Sequence, residues 1–303
     1  MVALARQSDI LLENFKTGTL DRLGLGFEAL HEVNPRLIYC SIIGFGLTGP
    51  RANDAAYDFM IQGMGGLMSV TGAPDGDTGG GPQKVGVPIV DIMTGMYAAI
   101  GSLAALANRD QTGTGDHIDL SMLDVSVAMR ANQAMSYSVS GTPPVRRGNS
   151  HPNIQPQNVY AVADGYIVLA VGNDGQFVKF AETIGRPELS DDPRFATNAA
   201  RVTNLPELEA VMAKAFATKT IDEWVRLLSS AGVPSGPINT VDRVFADPQV
   251  QHREMIRDIP HPLAGHVKQV VSPLNFRNAP LDYNTPPPLL GQHTAAVLEE
   301  LGL

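Results

Sequence analysis

Residues 9–43 read DILLENFKTGTLDRLGLGFEALHEVNPRLIYCSII, and the order of elements within them decides the fold. The run DILL at 9–12 is short and apolar and reads as a buried strand. Gly18 and Thr19 mark a turn, Leu20 to Leu23 can form a short helix, and Gly24 ends it. Phe27, Leu30 and Val33 then recur at helical spacing until Asn34-Pro35 stops them. Arg36 to Ile43, RLIYCSII, is the clearest strand of the chain, and GFGLTGP closes it as a loop. Strand, helix and strand in that order predict a βαβ unit, a parallel sheet and so an α/β fold.

Downstream, Ala55 to Val70 has helix-compatible spacing at Phe59, Ile61, Met64 and Leu67. Residues 72–83, GAPDGDTGGGPQ, match neither a Walker A nor a dinucleotide fingerprint and read as a flexible lid or surface turn. In KVGVPIVDIMTGMYAAIGSLAALAN, residues 84–108, Pro88 pushes its predecessor towards extended geometry. Met93, Met96, Ala98 and Leu103 favour helix after it. That helix is expected to begin at or next to Asp91, whose carboxylate would cap it at the positive end of its dipole. Local sequence gives this acid no further role. HIDLSMLDVSVAMRANQAMS, residues 117–136, reads as a strand running into a helix, with Asp119 and Asp124 as cap or turn residues.

The polar stretch 141–157, with Pro143-Pro144 and Arg146-Arg147-Gly148, marks a linker. VYAVADGYIVLAVGN, residues 159–173, then reads as a hairpin turning at Asp164-Gly165. Helices are expected around 177–184, 205–217 and 221–231, and this second, α+β unit ends near residue 250. The tail from Ser272 is extended and proline-rich before a last helix at Thr294–Leu301.

Composition excludes several classes. With 44% hydrophobic and 17% charged residues the chain of 303 is globular and long enough for two domains. A net charge of −9 argues against nucleic-acid binding, which draws on basic surface, though a local group of cations suffices for a small anion. The apolar run Met96–Ala107 is too short to cross a bilayer, and the N-terminus, with acids and a polar break inside it, does not read as a signal peptide. No membrane association is expected. A single cysteine, Cys40, allows no internal disulfide and fits a reducing, cytoplasmic setting. The seven histidines are scattered, so no metal site is expected.

Several stretches in order resemble one family. They are ENFKTGTLDRLGLGFEAL, NPRLIYCSIIGFGLTGP, AYDFMIQGMGGLMSVTG, VPIVDIMTGMYAAIGSLAALANRDQTGTGDHIDLSMLD, DGYIVLAVGND, AGVPSGPINTVDRVFADPQV and PPPLLGQHTAAVLEELG. The chain resembles the class III CoA-transferases of formyl-CoA and carnitine type, a family that also contains the α-methylacyl-CoA racemases. The resemblance implies an α/β fold with a Rossmann-like large domain over 1–145, a smaller α+β domain over 146–255 and a C-terminal segment, 256–303, returning to the large domain. It also implies two interlocked subunits in a homodimer.

For the site, the resemblance places the family's catalytic aspartate at Asp91. It places CoA contacts at Asn14, Phe15, Lys16 and Arg22, with Ala56, Tyr57 and Asp58 lining the CoA side. Acyl-CoA and a carboxylic acid would be substrates, with no permanently bound cofactor. A carboxylate suits such exchange, because it can attack a thioester to give a mixed anhydride that the CoA thiolate reopens. A helix N-terminus would lower the carboxylate's pKa and keep it ionised, and nearby glycine amides could receive the oxyanion. Racemases of the family are expected to carry His-Asp where this chain has Tyr57-Asp58. A phenol, titrating at about pH 10, is a poor base at neutral pH, so transferase is favoured over racemase or epimerase. Arg146, Arg147, Asn149 and His151 are candidates for meeting a second carboxylate, or are solvated linker residues. On the same resemblance Met1 falls where a further N-terminal βαβ portion would end. The expectation is a shortened chain with an exposed sheet edge and an incomplete CoA site; a non-catalytic family member is the reading of a different class.

Overall fold

The computed structural model describes all 303 residues, in two compact units, Met1–Ser150 and His151–Leu303. It is a mixed α/β structure with one parallel and two antiparallel sheets.

The first unit runs α1 (Val2–Gln7), β1 (Ile10–Glu13), α2 (Thr19–Arg22), α3 (Phe27–Val33), β2 (Ile38–Ile43), α4 (Asp58–Met64), α5 (Ile89–Thr112), β3 (His117–Ser121), α6 (Met122–Ala128) and α7 (Ala131–Ser140). Its strands lie in the order β1-β2-β3 and pair in parallel, Leu12 opposite Cys40 and Cys40 opposite Ile118. The βαβ expectation from residues 9–43 is therefore met. One part of it is corrected: β1 is an edge strand, paired on one side only, so Leu12 is 59% exposed rather than buried. β2, paired on both sides, is the buried strand, and Cys40 within it is buried and unpaired.

The expected helix at 55–70 is shorter, because Gly65 and Gly66 interrupt it. Gly66 takes a left-handed φ of 80°, and a Cβ on Gly65 would stand 2.1 Å from Ser126 Oγ. The pair thus ends α4 and lets α6 approach closely. The apolar run Met96–Ala107 is half of the 24-residue α5. By length and composition α5 is long and apolar enough to cross a membrane, a test that helices in protein cores also pass. Here it packs on β2, β3, α4 and α6. Its buried stripe is made of small or polar residues, Val90, Thr94, Ala98, Ser102 and Arg109, which permits close packing. Ile92, Met96, Ile100 and Leu103 face outward, 47 to 64% exposed. At the far end Gly113, with φ 81°, donates back to the Arg109 carbonyl (2.8 Å) and closes the helix.

The second unit contains β4 (Gln157–Val162), β5 (Gly165–Ala170), α8 (Asp174–Thr183), α9 (Asn198–Thr203), α10 (Leu205–Phe216), α11 (Ile221–Ser230), β6 (Ser235–Pro237), α12 (Val241–Ala246), α13 (Pro248–His252), β7 (Ile256–His261), β8 (Gly265–Val270) and α14 (Thr294–Glu300). The antiparallel β4-β5-β6 sheet and α8, α10 and α11 enclose a core around Phe177, Phe180, Phe216 and Trp224. The hairpin turns at Ala163-Asp164, one residue earlier than expected, because Gly165 already pairs with Val162. Asp164 Oδ1 instead accepts the Ile221 N–H (2.8 Å) at the start of α11.

Candidate active site

A cavity of about 760 Å³ opens at the carboxyl ends of β1 and β2, where open α/β sheets bind ligands. One wall is the segment after β1, with Asn14, Phe15 and Lys16. The facing wall is Ala56, Tyr57 and Asp58, leading into α4, and the first turn of α5 brings Asp91 to the floor. Seven of the eight residues singled out from the sequence thus share one cleft. Arg22 does not line it; its guanidinium turns back over Gly18 and donates to Thr19 Oγ1 (3.1 Å). A smaller cavity of about 290 Å³ shares Glu13, Lys16 and Thr17 and runs between α2, α3 and β2. Its floor is aromatic, with Phe27 stacked on His117 at 4.6 Å. Burial, aided by Glu13 and Asp21, pushes the Tyr39 hydroxyl up to about 12.

The local reading of Asp91 as helix cap is corrected. The N-cap is Pro88, Asp91 is the third helical residue, and its carboxylate makes no cap hydrogen bond. The capping carboxylate comes from α4. Asp58 Oδ2 accepts the N–H of Val90 (2.8 Å) and of Asp91 (3.3 Å). Asp58 Oδ1 accepts from Gln62 Nε2 (2.6 Å), and Gln62 Oε1 accepts from the Val85 N–H (2.9 Å). The first-turn amides that would lower an acid's pKa are therefore occupied by another acid. Burial, and then the Asp58 charge, raise the Asp91 carboxyl above the ordinary range, opposite to the expected direction.

The walls are fixed by contacts made far away in sequence. A Cβ on Gly44 would lie 2.2 Å from Ala56 Cβ, so only glycine lets the 56–58 segment close onto the end of β2. Gly44 also accepts the Leu123 N–H (3.1 Å), and Asp119 accepts the Leu47 N–H (3.1 and 3.2 Å), latching the loop between them. Asp124 is structural at the start of α6, its N–H donating to Ser121 Oγ (3.2 Å). Arg109 pins the far end of α5 to Asp9 (2.8 Å) and to the Arg36 carbonyl (3.0 Å).

Sequence reasoning did not single out Gln62, Gly44 or Arg109. Gln62 had a signal, since it stands four residues from Asp58 on a helix and is a polar residue beside the apolar Ile61. Among the candidates for a second carboxylate, Arg146 is paired with Asp75, and the Gly148 N–H donates to the Gly72 carbonyl (3.0 Å). Those contacts tie 141–150 to the glycine-rich loop. Arg147 and Asn149 are exposed. His151, in the second unit, uses Nδ1 to accept the N–H groups of Asn153 and Ile154.

Comparison with known proteins identifies the relatives of this chain. Residues 1–294 match the model of CoA-transferase family III. A succinate–glutarate CoA-transferase of Agrobacterium fabrum is 45% identical over 298 residues, covering 98% of this chain and 74% of the relative. The human succinyl-CoA:glutarate CoA-transferase is 37% identical over 298 residues, covering 98% and 67%. The crystal structure of a CAIB/BAIF family protein from Brucella suis superposes with a TM-score of 0.87 at 47% identity, over 99% of this chain and 77% of that one. With the family match running through residue 294 of 303, the chain belongs to CoA-transferase family III and is a class III CoA-transferase.

Proposed function

We propose that this chain moves CoA between dicarboxylic acids, with succinyl-CoA as donor, glutarate or a similar diacid as acceptor, and Asp91 as nucleophile. One observation carries the mechanism: Asp91 stands in the cleft with its carboxylate free of hydrogen bonds, between the Asn14–Lys16 wall and the Ala56–Asp58 wall. The names of the Agrobacterium and human relatives support the choice of substrates.

The steps balance without water or redox change. An Asp91 oxygen attacks the thioester carbonyl, the C–S bond breaks, and CoA thiolate leaves a mixed anhydride. The thiolate then attacks the Asp91 side-chain carbonyl and releases succinate, giving an aspartyl-CoA thioester. The acceptor carboxylate attacks that same carbonyl and expels thiolate. Finally the thiolate attacks the acceptor's acyl carbon, which frees Asp91 and delivers the new acyl-CoA. A carboxyl with a raised pKa is a better nucleophile once ionised. Lys16 offers charge to CoA phosphates and Phe15 an exposed ring to adenine, with Asn14, Ala56 and Tyr57 as further contacts. Arg22, outside the cleft, would contribute at the nucleotide end. Tyr57 supplies no base for α-proton exchange, which favours transfer over racemisation.

A homodimer is part of the proposal. The outward apolar stripe Ile92, Met96, Ile100 and Leu103 on α5 supports it as surface for a second copy. Hydroxylamine trapping after mixing with succinyl-CoA tests the core reading. Asp91 should be converted to its hydroxamate, as seen by peptide mass spectrometry. A folded, CoA-binding sample with unmodified Asp91 sinks it, and α-deuterium exchange in heavy water without an acceptor would establish the racemase instead.

A further inference from the structure

We infer that Gln62 is a positioning residue for the Asp91 nucleophile, acting by holding Asp58 on the first-turn amides of α5 so that Asp91's carboxylate is left without a donor. The inference rests on the nucleophile reading above and deepens it.

The geometry is a chain of hydrogen bonds that converges on the Asp58 carboxylate. The Val85 N–H donates to Gln62 Oε1, Gln62 Nε2 donates to Asp58 Oδ1, and Asp58 Oδ2 accepts from Val90 and Asp91. Gln62 is 0% exposed, and both ends of its side-chain amide are used. A buried amide with both partners satisfied fixes its neighbour's rotamer, because any other arrangement strands a buried polar group. Asp58 in turn links two segments 33 residues apart in sequence. Were Asp58 to swing away, the Val90 and Asp91 amides would be open to the Asp91 carboxylate. Donors on a carboxylate stabilise its charge and blunt its nucleophilicity. Gln62 therefore protects the reactivity of an acid it does not touch.

Other titratable groups are close. Glu13, Lys16, Asp54 and Tyr57 line the cleft with the two acids. The elements packed on α5 add Tyr39 and Cys40 of β2, His117 and Asp119 of β3, and Asp124 of α6. Substitutions at Gln62 leave all of these residues in place.

Two substitutions separate positioning from packing. Gln62→Met keeps much of the volume and removes both hydrogen bonds. Gln62→Glu keeps the acceptor for Val85, but its new carboxyl donates to Asp58 only when protonated. The rate of Asp91 labelling by succinyl-CoA and hydroxylamine is followed from mildly acid to neutral pH, alongside NMR titration of labelled aspartate side-chain carbons. Q62M should lower the labelling rate about tenfold or more with little change in CoA affinity. Q62E should approach the wild type at acid pH and fall away as the introduced carboxyl ionises. In Q62M the Asp91 titration midpoint should move down. Labelling of wild type and both variants at equal rates, or an Asp91 midpoint unmoved in folded Q62M and Q62E, overturns the inference. Absence of Asp91 labelling in a wild type that transfers CoA removes the nucleophile reading itself, and this one with it.

Discussion

The backbone N–H of Asp91 donates to Oδ2 of Asp58 at 3.3 Å, so the acid proposed to attack the thioester is held through its main chain by a second acid. The two carboxylates divide one helix terminus between them. Both line the cleft, but Asp58 alone takes the amides. Environment alone makes one acid an anchor and leaves the other carboxylate without a donor.

That division makes Asp58→Asn an informative change. Along the chain from Val85 to Val90 the links converge on Asp58, which accepts from Gln62 on one side and from the helix amides on the other. An asparagine turns one acceptor into a donor, so it faces either Gln62 Nε2 or the helix amides with the wrong sign. Rotating the Gln62 amide only moves the conflict to Val85. One buried hydrogen bond is lost whichever way it settles, at a cost of about 1 to 3 kcal/mol. The like charge beside Asp91 goes as well, so its titration should move down towards the ordinary aspartate range. Denaturant midpoints and NMR titration measure the two effects, and a D58N variant as stable as the wild type contradicts the network.

Asp91→Asn should separate activity from stability. The Asp91 carboxyl titrates above its ordinary value in the folded chain, so the folded state binds that proton more tightly than the unfolded state. Below the ordinary aspartate pKa of about 4 the group has no effect on stability. As pH rises through the raised value, its ionisation progressively destabilises the fold. D91N should therefore unfold at a higher temperature than wild type at neutral pH, and the gap should close in acid. Transfer should fall by about a thousandfold or more. Calorimetry at the two pH values, with an acyl-transfer assay, reads both.

Gly44→Ala places a methyl 2.2 Å from Ala56 Cβ, far inside contact distance. The 56–58 wall must retreat, at about 1 to 3 kcal/mol for an overpacked site. Asp58 moves with it, so transfer should weaken too. Ala56→Gly on its own removes the opposing methyl at modest cost. The double variant should recover stability and activity relative to G44A, and if it does not, the close approach is not what requires glycine.

What the sequence made legible was local. The residues of β1, α2, α3 and β2 follow one another with turn signals between them, so periodicity and punctuation suffice. The cleft residues were legible as motifs, but their relations were not. Asp91 looks like a cap because an acid in a first helical turn normally is one, and its competitor is 33 residues away. The burial of α5 was hidden for a similar reason. Its large apolar residues suggest the core face, yet Thr94, Ala98 and Ser102 are the ones buried, because a close-packed sheet and α6 leave room only for small side chains. The β7–β8 hairpin was missed since Pro260 lies inside a strand and Pro262 follows it, and prolines demote a strand reading.

Arg109 offers a test of stability uncoupled from chemistry. Its side chain is buried, pairs with Asp9 and donates to the Arg36 carbonyl, so it fastens the end of α5 to the starts of β1 and β2. Arg109→Ala strands that carbonyl and removes a charge-assisted bond, a loss of about 2 to 3 kcal/mol. Asp9→Asn should cost less, under about 1 kcal/mol, because Asp9 is largely exposed and water replaces its partner. Asp91 lies 18 residues up the helix, about 27 Å away at 1.5 Å per residue, and is held there by Asp58. Well below its melting temperature R109A should therefore keep the KM and kcat of the wild type while its denaturant midpoint falls. A fall in kcat at a temperature where the variant is fully folded would mean that the two ends of α5 are mechanically coupled.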